Sequence, residues 1–259
     1  QVVRAAEDTA NRYGYNLILC NTDDDAKKER LYIEVLKEKC VDGIIFTSSI
    51  KPNSKNINML LDYKIPFVFL DRCISADDAF VICTDGIQGM YDVVSYLIEM
   101  GHERIAFISG PKESSTAFGR YRGYVKAIKK SGIQVDKKLI VEGDYKIDGG
   151  KKAMEELLKR KTSFTAVACA NDLMAIGAIE VLRKNNINIP EEISVTGFDD
   201  IVLSSVLQPK LTTVSQPCYE MGYEATKMLI NLIEGKMLKV NNLVLKPKLV
   251  IRDSVSTRR

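Results

Sequence analysis

Short apolar runs rich in β-formers alternate with amphipathic segments from one end of the chain to the other. "YNLILC", "DGIIFT", "PFVFLD", "AFVICTD", "RIAFISG", "TAVACAND" and "ISVTGFDD" read as strands, several of them apolar on both faces. Ala26 to Lys39, Gly86 to Met100, Gly119 to Lys130 and Gly149 to Lys161 carry apolar residues at helical spacing, and the opening "QVVRAAEDTANRYG" has the same period. Strand and helix in repeated order predict an α/β fold of doubly wound parallel sheets, with helices on both faces. At 259 residues the chain exceeds the usual size of a single core, so two lobes are expected. No solenoid repeat, low-complexity tract or long linker interrupts the pattern.

The ends of the strands carry the first hint of function. In "TAVACANDLMAIGAIEVLR", a buried strand over Thr165 to Ala170 stops at Asn171 and Asp172 and at once becomes a helix, with Leu173, Ile176, Ile179 and Leu182 at helical spacing. A helix cap is worth about 1 kcal/mol and needs only one such residue. Other runs end the same way, at Asp71-Arg72, Asp85 and Asp199-Asp200. Ligands of open parallel sheets bind at the carboxyl ends of strands, so this set suits a ligand cleft between two lobes.

Composition narrows the classes. A net charge of +3 gives no basic footprint for nucleic acid. The six cysteines, Cys20, Cys40, Cys73, Cys83, Cys169 and Cys218, are scattered without a C-x-x-C pair or metal-like cluster, and most read as reduced core residues of a cytoplasmic protein. No apolar run approaches the ~20 residues of a membrane span, and no signal peptide is seen, although the opening helical period leaves room for residues upstream.

Enzymatic readings find little support. His102, the single histidine, follows the helix stop expected at Gly101 and precedes a strand, where packing or a local hydrogen bond is the simpler role. "EGDYKIDGGKK" fails the spacing of a phosphate-binding loop. Asp23-Asp24-Asp25 and Asp77-Asp78 fall in polar connections and read as solvated turns. The strongest enzymatic alternative uses Asp71 and Asp199 as an acid and base pair. No catalytic residue, metal or cofactor is assigned.

Ten segments, in order, carry a resemblance: "GYNLILCNTDDD", "VDGIIF", "PFVFLDR", "MGHERIAFISGP", "GRYRGYVKAI", "EGDY", "TAVACANDLMAIGAIEVLR", "IPEEISVTGFDDI", "PKLTTVSQPCYEMG" and "LIEGK". Over nearly the whole chain the sequence resembles the effector-binding domain of the lactose and galactose repressor family of bacterial transcription regulators. The resemblance implies a type I periplasmic-binding-protein-like fold with three crossovers and a small ligand in the cleft. It places residues 1–84 plus 215–243 in an N-terminal lobe and 85–214 plus 244–259 in a C-terminal lobe, with bending near Thr84, Ser215 and Val244.

By position, Arg120 in "GRYRGY" resembles the arginine that grips ligand oxygens, and Asp199 in "TGFDD" the carboxylate that accepts from ligand donors. A guanidinium and a carboxylate can share one sugar diol. Asn171 is expected to face the ligand, with Asp172 capping the helix or bracing the site. Asp71 and Arg72 correspond to a pair from the other lobe, and Tyr145 to an aromatic wall. Gln216 and Cys218 fall at a pocket edge, and Ser114 and Thr116 where some members place polar contacts. Each has a structural alternative: a surface ion pair for Arg120, an ordinary half-buried ring for Tyr145, a turn for Asp71-Arg72.

Two departures stand out. The helix-turn-helix headpiece of the family is absent, so operator binding is expected only through that missing part. The first core strand and the following loop are absent too, which predicts an unpaired interior sheet edge. The implied function is a cytoplasmic, dimeric sensor whose small effector, a sugar or else a purine or nucleoside, controls operator binding. A periplasmic sugar-binding protein of a transporter is the alternative.

Overall fold

The computed structural model describes residues 1–23, 25–47, 55–71, 79–237 and 240–258. In chain order the elements are α1 (Val2–Arg12), α2 (Ala26–Glu38), β1 (Ile44–Phe46), α3 (Lys55–Tyr63), β2 (Phe67–Leu70) and β3 (Val81–Thr84). There follow α4 (Gly86–Glu99), β4 (Ile105–Ser109), α5 (Ser115–Lys130), β5 (Ile140–Glu142), α6 (Ile147–Lys159), β6 (Ala166–Cys169), α7 (Asp172–Lys184), β7 (Ser194–Thr196) and β8 (Thr213–Ser215). The chain closes with α8 (Cys218–Ile233), β9 (Asn242–Leu245) and β10 (Lys248–Val250). Two units divide it: Gln1–Thr84 with Pro217–Leu245, and Asp85–Gln216 with Lys246–Arg259.

The first unit holds a parallel sheet in the order β1-β2-β3-β9. Alternation along its strands sorts the side chains to two faces. Phe46, Phe69, Val81 and Cys83 pack with Ile33 of α2 and with Ile57 and Leu60 of α3. Val68, Leu70, Ile82 and Leu245 pack with Met221, Ala225, Met228 and Leu229 of α8. Both faces are therefore covered by helices, which is why these strands read as apolar runs.

The segment "YNLILC" departs from its expected strand: residues 15–20 form no strand, and Leu17, Ile18 and Leu19 are 38%, 60% and 72% exposed. A strand needs a neighbour for its backbone N–H and C=O groups. None of the described residues pairs with this segment, and β1 forms the end of its sheet.

The second unit builds a parallel sheet in the order β5-β4-β6-β7. Beyond β7, isolated bridges join Thr196 to Thr212 and Asp199 to Ser215, and β8 pairs antiparallel with β10. One continuous core runs through this unit, from Met90 and Leu97 of α4 through Phe107, Ile108 and Val167 to Met174 and Leu182 of α7. His102 is fully buried there; its Nδ1 lies 2.8 Å from Thr165 Oγ1 and its Nε2 3.1 Å from the Ser256 carbonyl. Desolvation holds its pKa below the usual histidine value, so it works as a neutral brace for the C-terminal segment.

The expectation that most cysteines are reduced concerns residues in differing states. Cys20, Cys40 and Cys169 are free thiols, whereas Cys83 is disulfide-bonded. Cys169 on β6 is fully buried, and burial pushes its thiol pKa up, away from reactivity. Cys73, Asp24, Asp77 and Asp78 lie outside the described residues. Asp25 caps α2 by accepting from the backbone of Lys27 and Lys28. Among the described residues no helix is long and apolar enough to cross a membrane, and no cluster of ligating side chains could hold a metal ion.

Glycine sets the approach of α6 and α7. A Cβ on Gly177 would lie 2.1 Å from the Ile147 carbonyl oxygen, and one on Gly150 2.3 Å from that of Met174. The two backbones touch, and neither can yield without displacing a helix. Gly177→Ala is expected to lower the unfolding free energy by roughly 1–3 kcal/mol, read from urea denaturation monitored by circular dichroism.

Candidate functional site

Four strand ends of the second unit deliver polar side chains to one edge of its sheet. The chain leaves β4 into the loop before α5, β5 into the turn bearing Tyr145, β6 into Ala170 and Asn171, and β7 into Phe198, Asp199 and Asp200. Parallel strands end on the same edge, so these turns converge.

Arg120 projects from α5 and is 5% exposed. Its Nη1 donates to the Ala170 carbonyl at 2.6 Å and its Nη2 to Asp199 Oδ1 at 3.1 Å. The guanidinium lies over the Phe198 ring, 3.9 Å from its centroid, and 5.8 Å from that of Tyr145. A buried cation is costly unless its donors are engaged, and here carbonyl, carboxylate and aromatic faces share it.

Asp199 receives a second bond on the same atom: Gln216 Nε2 donates to Oδ1 at 2.8 Å. Among the described residues no hydrogen bond reaches Oδ2, and Gln216 Oε1 is buried without a partner. The Asp199 side chain is 27% exposed, so the site is not sealed on that side. Burial pushes its pKa up, against the opposing pull of Arg120 and Gln216.

Asn171 is the N-cap of α7. Its Oδ1 accepts from the Met174 backbone N–H at 3.0 Å, while Nδ2 donates to the Tyr145 carbonyl at 2.9 Å. Tyr145 sits at φ +65°, and its ring lies where a Cβ on Gly110 would fall, 2.3 Å from the ring carbon bearing the hydroxyl. The Tyr145 hydroxyl is 3.3 Å from Thr116 Oγ1, which is 2.8 Å from Ser114 Oγ. Ser114 also caps α5 by accepting from the Ala117 N–H.

Capping thus falls to Asn171, and Asp172 takes the bracing role. Wholly buried, its carboxylate accepts from the Ile201 N–H at 2.9 Å, Ser204 Oγ at 2.6 Å and Thr213 Oγ1 at 2.5 Å. Sequence reasoning missed Ser204, Thr213 and the tie between Asp200 and Arg252, whose Nη2 is 2.6 Å from Asp200 Oδ1. Nothing in local spacing links residues so far apart in the chain.

The structure therefore brings together Arg120, Asp199, Gln216, Asn171, Tyr145, Thr116 and Ser114. Asp71 and Cys218 belong to the first unit. Asp71 ends β2 at φ +62°, its N–H donating to the Ile82 carbonyl at 2.8 Å, and Cys218 opens α8. Arg72 lies outside the described residues.

Known proteins share this framework. Residues 1–252 match the family described as periplasmic binding proteins and sugar binding domain of LacI family. The chain is 40% identical over 255 residues to the HTH-type transcriptional regulator RegA of Clostridium saccharobutylicum, covering 98% of this chain and 76% of that protein. Against the HTH-type transcriptional repressor PurR of Pectobacterium carotovorum subsp. carotovorum the identity is 36% over 258 residues, 99% of this chain and 75% of the repressor. Among solved structures, the transcriptional regulator CelR–cellobiose complex superposes with a TM-score of 0.91 at 30% identity, covering 98% of this chain and 77% of that one. A LacI family regulator of Enterococcus faecium with bound ribose gives 0.88 at 28% identity, covering 100% and 94%.

The chain belongs to the LacI family of transcriptional regulators and constitutes its effector-binding domain, of periplasmic-binding-protein-like type I fold. The company of transcriptional regulators favours this role over that of a transporter's binding protein.

Burial raises the Asp172 pKa from 3.8 to about 6, the three donors and nearby Asp199 adjusting that value. Between these two values the folded chain binds more protons than the unfolded one, so the contribution of Asp172 to stability falls as pH rises, by about 3 kcal/mol in total. The stability of the wild-type chain relative to Asp172→Asn is therefore expected to decline from pH 4 to pH 6 and to level off above it, as measured by urea denaturation across that window.

Proposed function

We propose that this domain senses a small polyhydroxylated molecule, most simply a sugar, through the network centred on Arg120 and Asp199. The observation that carries this reading is the division of labour on one carboxylate. Oδ1 of Asp199 is occupied by Arg120 and Gln216, which leaves Oδ2 and the buried Gln216 Oε1 as acceptors. Two acceptors suit two hydroxyl donors, and a charged acceptor gives the stronger bond.

Asn171 and Thr116 border the same network, and the Tyr145 ring offers an apolar face of the kind that covers a sugar ring. Ser114 supports it through Thr116. Asp71, Arg72 and Cys218 are carried as contributors from the first unit on the family resemblance alone.

In this reading the domain binds its effector and releases it unchanged. The carboxylate an acid and base mechanism would require, Asp199, is committed to Arg120 and Gln216. Ligand capture controls DNA only if the ligand prefers one arrangement of the two units over another. Operator contact then falls to a helix-turn-helix headpiece outside these residues, and the working form is a cytoplasmic homodimer.

Isothermal calorimetry against D-ribose, D-glucose, cellobiose, adenosine and hypoxanthine tests the reading. One sugar is expected to bind stoichiometrically and to be recovered intact, with Asp199→Asn weakening it at least about tenfold, the cost of one charged hydrogen bond. Binding of hypoxanthine alone, chemical turnover of the sugar, or an unchanged affinity in Asp199→Asn would each count against it.

A further inference from the structure

The backbone around the effector carboxylate is strained twice over. Asp199 sits at φ +107° and Asp200 at φ +56°, two consecutive non-glycine residues at positive φ. Such a pair persists only where its surroundings hold it. Asp199 is held at its backbone by donation of its N–H to the Val214 carbonyl at 2.8 Å, and at its side chain by Arg120 and Gln216.

Asp200 is held from the C-terminal segment. Arg252, just past β10, places Nη2 2.6 Å from Asp200 Oδ1 and donates from Nη1 to the Leu211 carbonyl at 2.8 Å. Its own N–H donates to Thr212 Oγ1 at 3.0 Å. The side chains of Arg252 and Asp200 are 18% and 21% exposed, so this is a largely desolvated, two-point grip. The guanidinium straps the turn after β7 to the segment leading into β8.

We infer that Arg252 is a positioning residue for effector recognition. By fixing Asp200 at positive φ it aims the Asp199 carboxylate at Arg120 and Gln216, and so keeps Oδ2 presented to the ligand. The inference rests on the reading of Asp199 as the effector-binding carboxylate. It makes affinity depend on a segment whose other neighbours are structural, and it ties β10, which follows directly on the passage from Leu245 to Lys246, to the occupied state of the site.

A purely structural Arg252 would lower stability without acting through Asp199, and a double-mutant cycle separates the two. With D-ribose as the probe on the full 259-residue chain, Arg252→Ala is expected to weaken binding about tenfold. The same substitution in an Asp199→Asn background is expected to change affinity less than about twofold. Arg252→Lys, which retains the charge but not both bonds, should fall between the wild type and Arg252→Ala. Thermal unfolding of each variant sets the titration temperature below its transition.

Loss of affinity that persists undiminished in the Asp199→Asn background, or no loss in Arg252→Ala, overturns the positioning role. Unchanged ribose affinity in Asp199→Asn alone defeats the site reading and this inference with it. Where ribose binding is too weak for the cycle, the crystal structure of unliganded Arg252→Ala decides. An Asp199 carboxylate moved out of reach of Arg120 Nη2 and Gln216 Nε2 supports the inference, and an unmoved one overturns it.

Discussion

The carboxylate of Asp172 is the fixed point around which the second unit arranges the edge where its parallel strands end. It is fully buried, at the first turn of α7, and holds three donors from three places: the Ile201 backbone, the Ser204 hydroxyl and the Thr213 hydroxyl. An ion removed from water without such partners would be destabilising by several kcal/mol. The start of α7, the turn after β7 and strand β8 therefore cannot shift independently, since any one of them leaving would strand a buried charge. Gly197 belongs to the same constraint, because a Cβ there would lie 2.1 Å from Asp172 Oδ1. Asn171 adjoins Asp172 in the chain and Asp199 lies near it in space, so both inherit its rigidity.

Rigidity at that edge is spent on unfavourable backbone. Tyr145, Asp199 and Asp200 all adopt positive φ, where glycine would be at ease. A glycine could make the same turns, but it would carry no ring, no carboxylate and no anchor for Arg252. Each strained residue has a restraint within hydrogen-bonding distance: Asn171 on the Tyr145 carbonyl, Arg120 and Gln216 on the Asp199 carboxylate, Arg252 on Asp200. Strain held this way falls at two of the four converging strand ends, those of β5 and β7, and supports the role proposed for the network.

Much of this was legible in the sequence. Runs such as "RIAFISG" and "TAVACAND" became buried strands, and the amphipathic spans became helices, because burial on both faces and a 3.6-residue period leave few alternatives. The short strands β5, β8, β9 and β10 were not marked out, since three or four residues against a larger partner need no pattern of their own. "YNLILC" misled for the opposite reason: its composition is that of a strand, but composition cannot supply the neighbour that a strand requires. At the site, Asn171 and Asp172 were seen to be more than a cap, yet which of them capped depended on donors at Ser204 and Thr213. The meeting of Gln216 with Asp199, and of Arg252 with Asp200, is set by the register of strands far apart in the chain, which single-sequence spacing does not contain.

The network's preformed state has a consequence for how a ligand would be chosen. Arg120 is anchored to the Ala170 carbonyl and seated on the Phe198 ring, so its cation is in place before anything binds. A ligand need not pay for ordering it, and its affinity reflects fit rather than rearrangement. Burial meanwhile pushes the Asp199 pKa up, and Arg120 and Gln216, which both engage Oδ1, oppose that rise. Oδ2 and Gln216 Oε1 then accept only from donors at two set positions. In the proposed reading, a molecule lacking the hydroxyl that meets Gln216 Oε1 leaves that buried acceptor unpaired, a penalty steeper than the loss of a contact at the surface. Selection at such a site therefore acts mainly by exclusion, and the identity of the ligand follows from the geometry of its hydroxyls more than from its size.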